Sequence, residues 1–488
     1  MNIKLFICLL SFVFASTAYG ENFTEAKVKK AQEIIEQAID AHGGQDALDA
    51  MQSITVEHET QGRAVNQSLR PTKPWDKNYT KGISAVDFDS KLFVTKNFGH
   101  SGGFEFDNAT VINGEQSFNI DYRANTAQPM KEPDFDNSSG PFARVTPALL
   151  VKLLKERSHT ALYLGDVEHK GKTNSVVSFS MAVGPSISLY FDTESGLLNH
   201  SERFLARAGL VEYEFLDYEM IDGVAFNKRF ELHVNGDLDM QRENQKITLN
   251  DDFSELAVIE PSLIRTEPIG PDEMRLLELS KGVYHVGGSG TYGLFVDMGD
   301  HLVAIGGTGG AEERIKTLRI SVGDKPIRYA VMTHHHADHI MAAKVFAKEG
   351  ATILAAKDHK SVVKQATEGV DAKIKTVGSS KTLKSKQHKL MLIDIGPTAH
   401  SEHVLVAWLP KQGILFSADH FNVPRTGPIQ PAVKSTRTFA KALKRLKLKP
   451  TTLVSAHSPM KGTMQDLQKA LDAKVVSSRL ASAKRYQF

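Results

Sequence analysis

The chain has almost no cysteine. Its single one, Cys8, falls within the first twenty residues. Everything after it therefore folds without disulfides and offers no thiolate to a metal. An excess of charge is also lacking, because 59 Lys and Arg face 57 Asp and Glu for a net +2. That balance leaves no electrostatic footprint for nucleic acid, and no RNA- or DNA-binding motif stands out. Beyond residue 20 there is no apolar run long enough to cross a bilayer. Internal repeats and low-complexity tracts are missing as well. What remains is 488 residues, 41% hydrophobic and 24% charged, a composition typical of a globular protein. The length exceeds one ordinary core and predicts two domains.

The first twenty residues have their own pattern. Lys4 precedes an apolar run from Leu5 to Ala15, and the small residues Ser16, Ala18 and Gly20 follow. This predicts a secretory signal peptide over 1–20, cut near Ala18 or Gly20, and hence a periplasmic or secreted protein.

From Thr24 to His42, Ala26, Val28, Ala31, Ile34, Ile35, Ala38 and Ile39 recur at helical spacing until Gly43-Gly44. A second short helix is predicted over Gln45 to Met51. From Ser53 to Leu249 the texture changes to short strands, such as Ser53–Glu57, Lys91–Val94, Ser175–Phe179 and Ile187–Phe191. Turn residues separate them, which predicts an antiparallel β domain with N-terminal helices over 21–255. Leu189 to Leu198, with Tyr218 to Gly223, loosely resembles the half-barrel of periplasmic lipoprotein-carrier proteins. Pro261, Pro268 and Pro271 mark a linker over 256–271. A C-terminal domain over 272–488 opens with three strands around Gly282–Val286, Gly293–Met298 and His301–Ile305. Ser435 to Lys449 reads as a basic helix with Phe439, Leu443 and Leu446 on its apolar face, the rest a solvated outer surface.

Chemistry concentrates after the apolar stretch Ile327 to Thr333, which reads as a buried strand. It runs into His334-His335-His336-Ala337-Asp338-His339. Residues two apart in extended chain point the same way, so His334 and His336 can share one metal ion. Asp338 and His339 turn away and can serve a second. Three later strand-like runs are also followed by a His or an Asp. Leu390–Ile395 leads to His400, Ile414–Ala418 to Asp419, and Thr452–Ala456 to His457.

The pattern His-x-His-x-Asp-His, followed in order by His400, Asp419 and His457, resembles the metallo-β-lactamase superfamily from about Pro271 onward. The resemblance implies an α+β chain whose C-terminal part is an αββα sandwich. It implies His334, His336 and His400 around one metal, Asp338, His339 and His457 around the other, and Asp419 bridging them. The implied cofactor is a pair of Zn2+ ions, with iron or manganese as alternatives. A water shared by two such ions ionises near neutral pH and attacks the substrate. Asp338 is the implied catalytic residue, steering that nucleophile and carrying its proton. Asp419 stands where secreted β-lactamases of the family commonly carry Cys or Ser. That brings the site nearer to the family's thioesterases, lactonases and phosphodiesterases.

Two further residues are candidates for substrate contact: Tyr292, in a turn beside the site, and Arg425, in the proline-rich segment Phe421 to Pro431. His335 and His403 read as neighbours of ligands or solvated residues rather than ligands, His420 as a hydrogen-bond partner to one, and His42, His58 and His159 as structural or surface residues. Two functions stay open at this stage. One is a secreted binuclear metallohydrolase acting on an ester, lactone, thioester, amide or phosphodiester. The other is a periplasmic binding protein whose β domain captures an apolar ligand beside a vestigial metal domain.

Overall fold

The computed structural model describes residues 22–475 apart from Glu115 and Arg207, and the expected signal peptide lies outside the described residues. The first helix, Phe23–Ala41, opens on Asn22, whose side-chain oxygen accepts from the Glu25 N–H. Its stripe of Ala31, Ile34, Ile35, Ala38 and Ile39 is buried, as the helical spacing predicts. Gly43 ends it at φ +117. A Cβ there would lie 2.0 Å from the Gly223 carbonyl oxygen, so the chain needs glycine to turn at this point.

A 15-stranded sheet follows, antiparallel at nearly every pairing. Ser53–Arg63 lies inside it, paired with Lys77–Asp87 on one side and with Asp237–Arg242 and Gln245–Leu249 on the other. Two helices interrupt a region that the sequence reading fills with strands alone, Phe135–Ala143 and Pro147–Glu156. The second starts on a proline, where a missing N–H costs nothing, and buries Leu149, Leu150, Val151 and Leu154. One core joins these helices and the first helix to Val177, Phe179, Leu189, Phe215, Phe226 and Phe230 of the sheet. The proline-containing stretch expected to be a bare linker contributes an edge strand. Ile264–Arg265 pairs in parallel with Thr126–Ala127.

The C-terminal part has two sheets. The seven-stranded one begins with Arg275–Ser280, a strand the sequence reading misses, and continues through Val283–Gly288, Thr291–Asp297, Leu302–Ile305, Ile327–Val331, Thr352–Ala356 and Lys373–Val377. The five-stranded one orders Ser380–Lys384, Lys389–Asp394, Leu405–Leu409, Ile414–Phe416 and Thr452–Val454. Val296, Val303, Val331 and Leu354 of the first sheet share a core with Leu392, Leu405, Ala407 and Phe416 of the second. A separate core packs Ile315, Leu318 and Phe346 of the helices on the far face of the seven-stranded sheet. Another packs Phe439, Leu443 and Leu467 of the helices Lys434–Arg445 and Met464–Asp472 on the five-stranded sheet. Each fully buried Leu, Ile or Phe in these layers contributes roughly 1.5–3 kcal/mol. Among the described residues no helix is long and apolar enough to cross a membrane.

Candidate metal centre

Ile327–Val331 lies in the interior of the seven-stranded sheet, parallel to both neighbours. Its exit places His334, His335 and His336 just before the one-turn helix Ala337–Ile340. The rings of His334, His336 and His339 are fully buried, and His400 and Asp419 nearly so. Asp338 and His457 are the more open side chains, 41% and 31% exposed, and they mark the solvent side of the cluster.

Two groups of donors converge. His334, His336, His400 and Asp419 form one, and Asp338, His339, Asp419 and His457 the other, each with its ligand atoms within 4.8 Å of one another. Asp419 belongs to both. Its Oδ2 lies 3.2 Å from His400 Nε2 and 3.8 Å from His334 Nε2. Its Oδ1 lies 2.8 Å from His339 Nε2 and 3.3 Å from His457 Nε2. Asp338 Oδ2 sits 3.3 Å from His339 Nε2 and 3.6 Å from His457 Nε2.

The electrostatics fit a cation. Burial works to raise the Asp419 carboxyl, yet His339, His400 and His457 hold it well below the usual carboxylate range. Burial likewise works to lower His339, but Asp419 and Asp338 push it up to about 10. The carboxylates thus draw positive charge into the middle of the cluster. Around them His334 and His336 are held neutral, chiefly by burial. The hydrogen bonds fit as well. His336 Nε2 donates to the Ser68 carbonyl at 3.0 Å. This leaves its buried Nδ1 as an unpaired acceptor. His400 donates from Nδ1 to the Gly102 carbonyl at 3.1 Å, which turns its Nε2 lone pair inward. Such outer bonds fix the tautomer that a metal ligand requires. Nitrogen and carboxylate donors without thiolate suit zinc, iron or manganese.

The seven residues singled out in the sequence therefore come together. The two candidate substrate residues do not join them. Tyr292 is buried at 1% exposure, its ring stacked on His285 and its hydroxyl bonded to the Asp272 carboxylate. It holds a hairpin in place and offers no face to a substrate. Arg425 donates to the carbonyls of Gly270 and Pro271, at 3.0 and 3.4 Å, and ties down the segment between the sheets. His335 and His420 are buried beside the ligands, the first on the Ser68 carbonyl and the second on the Thr398 hydroxyl. His403 pairs with Asp394 at 2.6 Å. Sequence reasoning missed Gln67, whose amide donates to Asp338 Oδ1 at 2.9 Å, and the carbonyls of Ser68 and Gly102. No local signal points to them, since each meets its partner across more than 260 positions of chain. It also missed a smaller cluster, His169, His200 and Glu214, in which Lys170 already neutralises the carboxylate at 3.2 Å.

The model of the metallo-beta-lactamase superfamily matches residues 286–457. Residues 286–457 thus carry a metallo-beta-lactamase superfamily domain. Membership indicates a metal-dependent hydrolase. Solved metallo-beta-lactamases resemble the chain in structure. One from Pontibacter korlensis is 19% identical with a TM-score of 0.34, covering 44% of this chain and all of its own. One from Hirschia baltica is 18% identical with a TM-score of 0.32, covering 40% of this chain and 95% of its own. FIM-1 from Pseudomonas aeruginosa, solved in a mono-zinc form, is 20% identical with a TM-score of 0.33, covering 44% of this chain and 99% of its own. No curated protein matches the sequence.

Proposed function

We propose that the protein is an exported, binuclear zinc hydrolase that cleaves a small ester, lactone, thioester, amide or phosphodiester. The observation that carries this reading is the division of Asp419 between two donor groups, one oxygen to each. A carboxylate so placed is suited to bridge two ions, with His334, His336 and His400 completing one set and Asp338, His339 and His457 the other. All seven donors are kept, which favours a working centre over a vestigial one. Its C-terminal part is read as an αββα sandwich over 272–488, supported by the three stacked apolar cores. The part before it is read as a domain over 21–255, and 1–20 as the export signal.

A zinc pair supplies Lewis acidity, which acidifies water and polarises the scissile bond. The chain's own residues do the rest. Asp338 is the carboxylate open to solvent, so it can orient an attacking water and pass its proton to the leaving group. Gln67 occupies Asp338 Oδ1 and leaves Oδ2 facing His339 and His457. The buried face of His334, His336 and His400 excludes bulk water from the opposite side.

Purified protein assayed on a panel of these substrates tests the reading. At least one should be cleaved, with activity lost on chelation and restored by zinc. Cleavage that survives exhaustive chelation would refute it. N-terminal sequencing of the native protein should find a start near residue 21, and a start at Met1 would refute export.

A further inference from the structure

The connections that leave one end of the 15-stranded sheet run into the metal centre. In antiparallel neighbours, alternate connections emerge on the same side, so the segments 64–76 and 102–103 lie together. The first is pinned from within. Ser68 Oγ donates to the Ala64 carbonyl at 2.8 Å and accepts from Asp76 N–H at 2.7 Å, while Asp76 Oδ2 accepts from Leu69 N–H at 2.6 Å. Pinned this way, the Ser68 carbonyl accepts from both His335 and His336, at 2.9 and 3.0 Å. The amide of Gln67 next to it reaches Asp338 at 2.9 Å. Two backbone bonds fasten the same turn to the ligand loops, Ala337 N–H to the Asn66 carbonyl and Glu402 N–H to the Leu69 carbonyl.

The second connection seats on the His400 loop. Gly102 accepts from His400 Nδ1, and the Phe104 ring stands edge-on to the His400 ring with centroids 5.1 Å apart. Gly103 adopts φ +82, and a Cβ there would fall 2.0 Å from the Ala399 carbonyl oxygen, so only glycine allows this approach. Of the seven donors, His336, His400 and Asp338 thus take their outer hydrogen-bond partner from the N-terminal sheet. His334 and His457 take theirs from Thr333 and Gly290 of the C-terminal part.

Resting on the binuclear reading above, we propose that the N-terminal sheet is an integral part of the metal centre. Gln67 is a positioning residue for Asp338, and the Ser68 and Gly102 carbonyls position His336 and His400. The sheet therefore sets the affinity of both metal positions rather than acting as a separate ligand-capturing module. Each position depends on a different contact. The Asp338 position relies on the Gln67 amide, and the His336 position on the pinned Ser68 turn. Partners of this kind are typically worth on the order of 10–100-fold in metal affinity or activity.

The test is competitive chelator titration of full-length, zinc-loaded protein, with thermal melting on the same samples. Gln67→Ala should weaken one of the two zinc dissociation steps by about 10–100-fold, the same step that His457→Ala weakens. Ser68→Ala should weaken the other, the one that His334→Ala weakens. In Gln67→Ala kcat should fall with KM little changed, since no substrate contact is removed. Variants that melt earlier yet keep both parental zinc affinities would show a merely structural role and overturn the inference, leaving the binuclear reading intact. A parent protein that binds no zinc would overturn that reading first, and this inference with it.

Discussion

The Nε2 atoms of His339 and His457 face each other at 3.1 Å. Both also face Asp419 Oδ1. Three donor atoms thus converge on one point, where a bound cation would hold their separate loops together. Metal removal should therefore destabilise the fold as well as stop turnover. With free zinc at roughly a thousand times its dissociation constant, binding adds about 4 kcal/mol of stability. Calorimetry with and without chelator checks this, and an unchanged melting temperature would be the wrong result.

Asp338→Asn should hurt turnover more than metal content. The amide keeps the shape and one oxygen but loses the charge and the ability to take a proton. General acid–base assistance is typically worth on the order of 10²–10⁴-fold, and a loss of that size is expected. Metal counted in the same samples should stay near parental at the position held by His334, His336 and His400.

Acid should destabilise the protein through histidines that are not among the metal-centre donors. Burial pushes His42 down to about 4. His58 falls to about 3, through burial and then the Arg242 charge. Unfolded, both titrate near 6.5. Between these values the unfolded chain binds more protons than the folded one, so stability drops as the pH falls. It is fully present above about pH 6.5 and lost progressively toward pH 3. Urea midpoints of chelated protein at pH 7 and pH 5 report this, with the lower midpoint expected at pH 5.

Arg425→Ala should leave KM unchanged and lower the melting temperature. Its guanidinium is spent on the Gly270 and Pro271 carbonyls. A selective rise in KM would mean that the side chain reaches substrate after all.

The donor cluster was legible because its residues lie just past strand ends, in an order that resembles a known family. That pattern is local, and burial of the strand Ile327–Val331 makes it stand out. Tyr292 and Arg425 are engaged elsewhere, and for a common reason their partners were not foreseen. Sequence shows that a residue lies in a turn near the site, but not that Asp272 or a backbone carbonyl has already claimed it. The helix Pro147–Glu156 carried a readable signal in Pro147 and its leucines, hidden by the strand-rich sequence around it. Gln67 was beyond reach. Its meaning comes from a pairing with Asp338 that only the folded sheet creates.

Asp419 is proposed to serve two metal ions at once. Elemental analysis of purified protein after growth with ample zinc tests it most directly. Two ions per chain are predicted, with a clear drop in Asp419→Ala, where both sets lose a donor. One ion or none in the parent would contradict the account.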